Sequence, residues 1–114
     1  MSVIIWHNPK CSKSRQALAL LEERGESPTV RKYLDDPPSA SEIEAVVNKL
    51  GLPDPTGLVR QKEALYKELG VENMTGPKLL KVLADNPRLI ERPIVITNKG
   101  ARIGRPTEAV LEIL

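Results

Sequence analysis

Val3-Ile4-Ile5-Trp6-His7-Asn8-Pro9-Lys10-Cys11-Ser12-Lys13-Ser14-Arg15 is the stretch on which the reading of this chain turns. Its first four residues form a continuous apolar run, suited to a buried strand. His7-Asn8-Pro9-Lys10 interrupts that pattern, and a helix is expected from about Ser12 to Arg24. Ala17, Leu18 and Leu21 make its apolar stripe, and Gly25 is a good C-terminal stop. Cys11 thus stands between the end of a strand and the start of a helix, where α/β sheets gather ligand chemistry. The free N–H groups of Ser12, Lys13 and Ser14 are expected to point toward the sulfur. A helix N-terminus favours an anion and so raises the thiolate fraction. Lys10, Lys13, Arg15 and, when protonated, His7 would add positive charge. Ser14 would offer its hydroxyl to the sulfur or to a bound oxyanion.

An inert core thiol is the alternative, since free cysteine is among the most buried residue types. The neighbours argue for reactivity: from Asn8 to Arg15, Pro9 is the only residue without a polar side chain apart from Cys11 itself. Cys11 is also the only cysteine. It has no internal disulfide partner, and with one histidine in the chain a closed zinc site is excluded. Any disulfide it forms joins it to another molecule. For His7 two readings stand side by side: electrostatic tuning of the thiolate, or hydrogen bonding at a strand end.

Working outward, residues 29–34 read as a second strand. Asp35-Asp36-Pro37-Pro38 is a strong break. Ser39 and Glu42 match a capping box, followed by Ile43, Val46, Val47 and Leu50 at helical spacing up to Gly51. A third helix is expected from Leu58 to Leu69, and a fourth, capped by Thr75, up to Asn86-Pro87. The period then changes. Residues 93–97 form a strand, Asn98-Lys99-Gly100 a tight turn and 101–103 a returning strand. Pro106 suits the first position of a last helix, with Val110, Leu111 and Leu114 on one face. Without the helical middle, a thioredoxin-like α/β core remains: a mixed four-stranded sheet flanked by helices, with an insertion at about residues 39–86, all in a single domain at 114 residues.

Composition narrows the function classes. Apolar residues make up 40% and charged residues 28%, which describes a folded globule and argues against disorder. There is no Phe, and Trp6, Tyr33 and Tyr66 are the only aromatics, so stacking platforms for single-stranded nucleic acid are nearly excluded. A net charge of +2 does not by itself point to nucleic acid either. No apolar run is long enough to cross a membrane. The start of the chain lacks the basic lead-in and cleavage site of a signal peptide. A cytoplasmic protein is expected.

Arg60, Arg92 and Arg105 each fall at an expected element boundary: near a helix start, just before a strand and just before the last helix. Boundary arginines can converge on a pocket, and a planar guanidinium binds a tetrahedral oxyanion through two N–H groups. Taken singly, each reads as a solvated surface charge, as Arg88 and Arg102 do. Pro93 is either the permitted first residue of a strand or a cis residue shaping a groove.

On these residues the chain resembles the glutaredoxin-linked arsenate reductases. The likeness runs through His7-Asn8-Pro9-Lys10-Cys11-Ser12-Lys13-Ser14-Arg15, Tyr33-Leu34-Asp35-Asp36-Pro37-Pro38, Arg60-Gln61-Lys62-Glu63, Glu91-Arg92-Pro93-Ile94-Val95 and Gly104-Arg105-Pro106, in that order. It implies a thioredoxin-like fold, Cys11 as the catalytic cysteine, His7 as its neighbouring histidine, and Arg60, Arg92 and Arg105 as oxyanion ligands. It also implies Pro93 as a cis-proline, with no metal and no tightly bound cofactor. The implied partners are arsenate or a similar oxyanion, glutathione as co-substrate, and glutaredoxin. Where many members carry Cys-Gly-Thr-Ser, this chain has Cys11-Ser12-Lys13-Ser14, and it stops at Leu114 where theirs continue. Both features resemble a short, arsenate-reductase-like subgroup.

Two other functions share this scaffold. Spx-type regulators resemble the fold and bind RNA polymerase, commonly with a Cys-x-x-Cys switch. Here Ser14 holds the second position, which excludes an internal switch. The other is glutathione-dependent thiol reduction of a different substrate.

Overall fold

The computed structural model describes residues 2–114. The first four elements in chain order are β1 (Ile4–Trp6), α1 (Ser12–Glu23), β2 (Thr29–Arg31) and α2 (Ala40–Leu50). Then come α3 (Ala64–Glu68), α4 (Gly76–Asp85), β3 (Ile94–Thr97) and β4 (Gly100–Ile103). Short 3₁₀ segments at Pro55–Leu58, Val71–Asn73, Pro87–Leu89 and Thr107–Ile113 fill the connections and the C-terminal end. The chain divides into two units, one of Met1–Asp36 with Arg92–Leu114, the other of Pro37–Glu91.

The first unit holds the sheet, ordered β2-β1-β3-β4. β1 runs parallel to β2, pairing Ile4 with Thr29 and Trp6 with Arg31. It runs antiparallel to β3, with Ile5 opposite Val95, and β3 pairs antiparallel with β4 through the hairpin. This is the expected mixed four-stranded sheet. All four residues of β3 are buried, as a central strand covered on both faces requires. On one face Ile5 and Val95 meet Ala17 and Leu21 of α1, and Val110 and Ile113 of the C-terminal segment. Fully burying a side chain such as Leu21 stabilises the fold by about 1.5–3 kcal/mol.

Several expected boundaries move. The second strand ends at Arg31, because a turn closes where the Asp35 and Asp36 amides donate to Lys32 O. Val30 is left 41% exposed on that edge. Pro106 does not begin an α-helix: it stands in extended geometry before a 3₁₀ segment. The three-residue repeat of that segment buries Val110 and Ile113, not the expected Leu111 and Leu114, which are only partly covered.

The second unit packs α2 on α4, with Ile43, Val46 and Val47 on one and Leu79, Leu80 and Leu83 on the other. The capping box is present in full: Ser39 Oγ accepts from Glu42 N–H, and the Glu42 carboxylate accepts from Ser39 N–H at 3.0 Å. Gly51, at φ 74°, closes the helix in the left-handed region. Thr75 occupies the N-cap position of α4, but its side chain makes no capping bond. The expected helix from Leu58 to Leu69 does not form. Val59 is extended and bridges Ile90, with Arg60 N–H donating to Leu89 O at 2.7 Å and Glu91 N–H to Leu58 O at 2.6 Å. Helical geometry resumes only for the five residues of α3. Pairing the buried Val59 with Ile90 outweighs the helical periodicity of the segment.

Among the described residues, no helix is long and apolar enough to cross a membrane. The Ser39→Ala substitution removes one half of the capping box. It should cost about 1 kcal/mol, read as a lower urea midpoint by circular dichroism, whereas Ser39→Asp should largely retain stability.

Candidate active site

The site begins with a turn. Asn8 O accepts the Cys11 N–H at 2.9 Å, and Asn8 Oδ1 accepts the Lys10 N–H at 3.0 Å. Asn8 N–H in turn donates to Ser14 Oγ at 3.3 Å. The side chain of an Asn before Pro mimics one turn of backbone in this way. Arg15 adds a bond from its guanidinium to Pro9 O at 2.9 Å. Together these contacts set Cys11 at the N-cap of α1 in extended geometry, φ −96° and ψ 123°. The buried stripe of α1 is Ser14, Ala17 and Leu21, which explains why a serine is fully buried here.

Cys11 is half-buried and carries a free thiol. Its sulfur makes no directional capping bond. Burial pushes the thiol up; the Ser14 and Lys13 amides, then the Arg92 and Arg105 charges, act against it and leave it below its ordinary value. Arg105 Nη2 lies 3.7 Å from Sγ, and Arg105 Nε donates to Arg92 O at 2.8 Å. Both arginines flank β3 and β4. The peptide bonds Arg92–Pro93 and Arg105–Pro106 are cis. Pro93 O accepts from Gly104 N–H at 2.9 Å. Gly104 is a residue that sequence reasoning passed over: a Cβ there would stand 2.8 Å from Pro93 Cγ and 3.5 Å from Ala17 Cβ. The close approach of these backbones demands glycine just before Arg105.

The expected site residues fare differently. Cys11, Arg92 and Arg105 come together, and Pro93 lies against Gly104, next to Arg105. The charges of Arg92 and Arg105 favour the ionised sulfur. His7 is 5% exposed. Burial, and behind it the Lys32 and Arg15 charges, hold its imidazole below the ordinary histidine range, so it is neutral near pH 7. Its backbone N–H donates to Arg31 O at 2.8 Å, the strand-end role, while its Nδ1 is buried without a hydrogen-bond partner. Ser14 Oγ is engaged by Asn8, so it is the Ser14 amide that acts on the sulfur. Arg60 belongs to the other unit. There it follows the Val59 bridge rather than starting a helix, and pairs with Glu63 at 3.5 Å. Arg88 shares that carboxylate at 2.7 Å, and Arg102 pairs with Glu112 at 2.9 Å. Asn8 was legible only as a break; its Asn-Pro pair was the signal for a side-chain-closed turn. Among the described residues, no three His, Cys, Asp or Glu side chains are grouped as a metal site needs.

An ionisable sulfur at a helix start, with two arginines close by on a mixed four-stranded sheet, places the chain among thioredoxin-like proteins. Comparison with known proteins agrees. The ArsC family pattern matches residues 6–113, and the chain belongs to that family. It is 53% identical over 112 residues to a protein of Neisseria meningitidis serogroup A named arsenate reductase, covering 96% of each chain. It is 48% identical over 116 residues to one of Haemophilus influenzae with the same name, covering both chains in full. A solved arsenate reductase from Vibrio cholerae superposes with a TM-score of 0.96 at 52% identity, over 100% of this chain and 98% of that one.

Alkylation of Cys11 followed against pH should give a midpoint below that of an unperturbed thiol, about 8.5. Removing a guanidinium removes stabilisation of the charged form, so Arg105→Ala and Arg92→Ala should each move the midpoint upward. A midpoint that both variants leave in place would contradict this account. Gly104→Ala should cost about 1–3 kcal/mol through the clash with Pro93, read as a lower urea midpoint.

Proposed function

We propose that this protein is an arsenate reductase whose chemistry runs through Cys11, in a single functional domain located in the cytoplasm. The observation that carries the reading is the Arg105 guanidinium 3.7 Å from a half-buried, free Cys11 sulfur, in a chain about half identical to proteins named for that activity. The thiolate attacks arsenic, and an oxygen leaves as water after protonation. Arg92 and Arg105 neutralise the oxyanion, donors placed in advance where negative charge is held. The Ser14 and Lys13 amides stabilise the attacking sulfur. Arg60 is assigned as a third oxyanion ligand on the match of Arg60-Gln61-Lys62-Glu63 to the family pattern alone. His7, neutral and buried, acts as a positioning residue at the end of β1. Ser14 acts on the anion through its amide and closes the turn through its hydroxyl. Pro93 shapes the floor beneath the two arginines.

Reduction then requires thiols from outside, because Cys11 is the only cysteine. Glutathione adds to the arsenylated sulfur. Two electrons pass to arsenic as a Cys11–glutathione disulfide forms, and arsenic leaves as arsenite. Glutaredoxin attacks the glutathione sulfur of that disulfide and returns Cys11 as a thiolate. No tightly bound cofactor takes part.

A coupled assay with arsenate, glutathione and glutaredoxin tests the proposal. The protein should turn over, Cys11→Ser should fall to background, and Arg92→Ala or Arg105→Ala should lose about 100-fold or more in kcat/KM. Arg60→Ala should lose a comparable factor, and an unchanged value would remove Arg60 from the site. Turnover equal in wild type and Cys11→Ser would refute the assignment.

A further inference from the structure

The two segments that build the site are basic without internal compensation. From His7 to Leu21 there is no acidic residue, and from Arg92 to Thr107 there is none. The first turn of α1 likewise holds no acid. Most cations in these segments are engaged. Arg105 holds Arg92 O and faces Cys11, Arg15 holds Pro9 O, Arg102 pairs with Glu112, and Lys99 donates to Leu114 O. Lys10 and Lys13 are different. Both are exposed, on either side of Cys11, and neither side chain has a hydrogen-bond or ion-pair partner among the described residues. The charges that favour the thiolate are those of Arg92 and Arg105. They stand in sequence far from the nucleophile, whereas Lys10 and Lys13 stand in sequence on either side of it, exposed to solvent.

What this fits is an anion whose charge lies one residue away from a sulfur that is itself bonded to Cys11. We propose that Lys10 and Lys13 form a carboxylate-recognising rim that selects the thiol co-substrate, favouring small peptide thiols and disulfides with free carboxylates over neutral or cationic ones. The inference rests on Cys11 being the reactive thiol of the proposed function, and it assigns two residues that reaction leaves without a role. A peptide thiol such as glutathione places its glycyl carboxylate one residue beyond the cysteine that delivers the sulfur. Two flexible ammonium groups with rotatable donors suit such a mobile, solvated group better than a rigid guanidinium fork would. Complementary charge of this kind raises the encounter rate and is weakened by salt.

Thiol–disulfide exchange on the isolated protein tests this with no arsenic present. The Cys11 thiolate attacks one sulfur of a symmetrical disulfide, forms a mixed disulfide and releases the other half as a thiolate. The rate constant is measured with glutathione disulfide and with neutral 2-hydroxyethyl disulfide, and their ratio is compared across variants. Any change in the nucleophilicity of Cys11 acts on both rates and cancels in the ratio. Lys10→Gln or Lys13→Gln should lower the ratio about three-fold each, and the double variant about ten-fold. Raising the ionic strength should lower the wild-type ratio toward that of the double variant. A ratio that stays constant across the variants, or that ignores salt, overturns the proposal, including the case where an acidic protein surface is what the lysines recognise. Since the readout needs no arsenate turnover, failure of the arsenate assignment and failure of the rim appear in different experiments.

Discussion

A half-buried thiol resists ionisation, and everything distinctive in this structure works against that resistance. Burial is the largest influence on Cys11, and it points the wrong way for a nucleophile. No single group overcomes it. A helix N-terminus contributes roughly 0.3–1 kcal/mol, rising to about 2 in partly buried geometry. One unit of pKa corresponds to about 1.4 kcal/mol. Two amides with two guanidinium groups can therefore reverse the sign, where one alone would not. Hence the sulfur must sit where an α-helix begins and where two distant arginines can reach it.

The fold meets those requirements with separate devices that share atoms. Asn8 closes the turn with its carbonyl and side-chain oxygens, and its own amide is taken up by Ser14, so both ends of the Cys11 loop are tied to one residue. At the ends of β3 and β4, the Arg105 side chain grips the Arg92 carbonyl, and Gly104 lies against Pro93. The two arginines are thus held relative to each other by the β3–β4 hairpin ends. Holding cations in place before the anion arrives removes the cost of reorganising them when it does.

What the sequence made legible follows from local physics. The Val3–Trp6 run, the Cys11 boundary, the Ser39 capping box and the Asn98-Lys99-Gly100 hairpin are each set by neighbours within a few residues, and each is present. The failures share a cause as well. Leu58–Leu69 has helical periodicity, but Val59 pairs with Ile90 across about thirty positions of chain, and a non-local pairing leaves no trace in a local pattern. The last segment winds as a 3₁₀ helix, so Val110 faces the core as expected while Ile113 takes the place of Leu111 and Leu114. The site divides the same way. Cys11 and its amides are local. Arg92 and Arg105, whose charges favour its ionised form, come from more than eighty positions away, so their approach to Cys11 leaves no mark in the local pattern. Burial of His7 removed the charge that its proximity had promised.

The same electrostatics bear on the end of the proposed cycle as much as on its start. A thiol whose ionised form is stabilised is a weaker intrinsic nucleophile but a better leaving group in disulfide exchange. When Cys11 is bonded to another sulfur its negative charge is gone, while Arg92 and Arg105 remain where the hairpin holds them. Reduction that expels Cys11 as a thiolate restores the charge those guanidinium groups face, and attack in the opposite direction does not. The asymmetry favours release of the free enzyme over transfer of the incoming thiol to Cys11. A protein with one cysteine has no internal thiol to resolve its own disulfide, so this bias in the leaving group is the means by which its own residues speed the return to the reduced state.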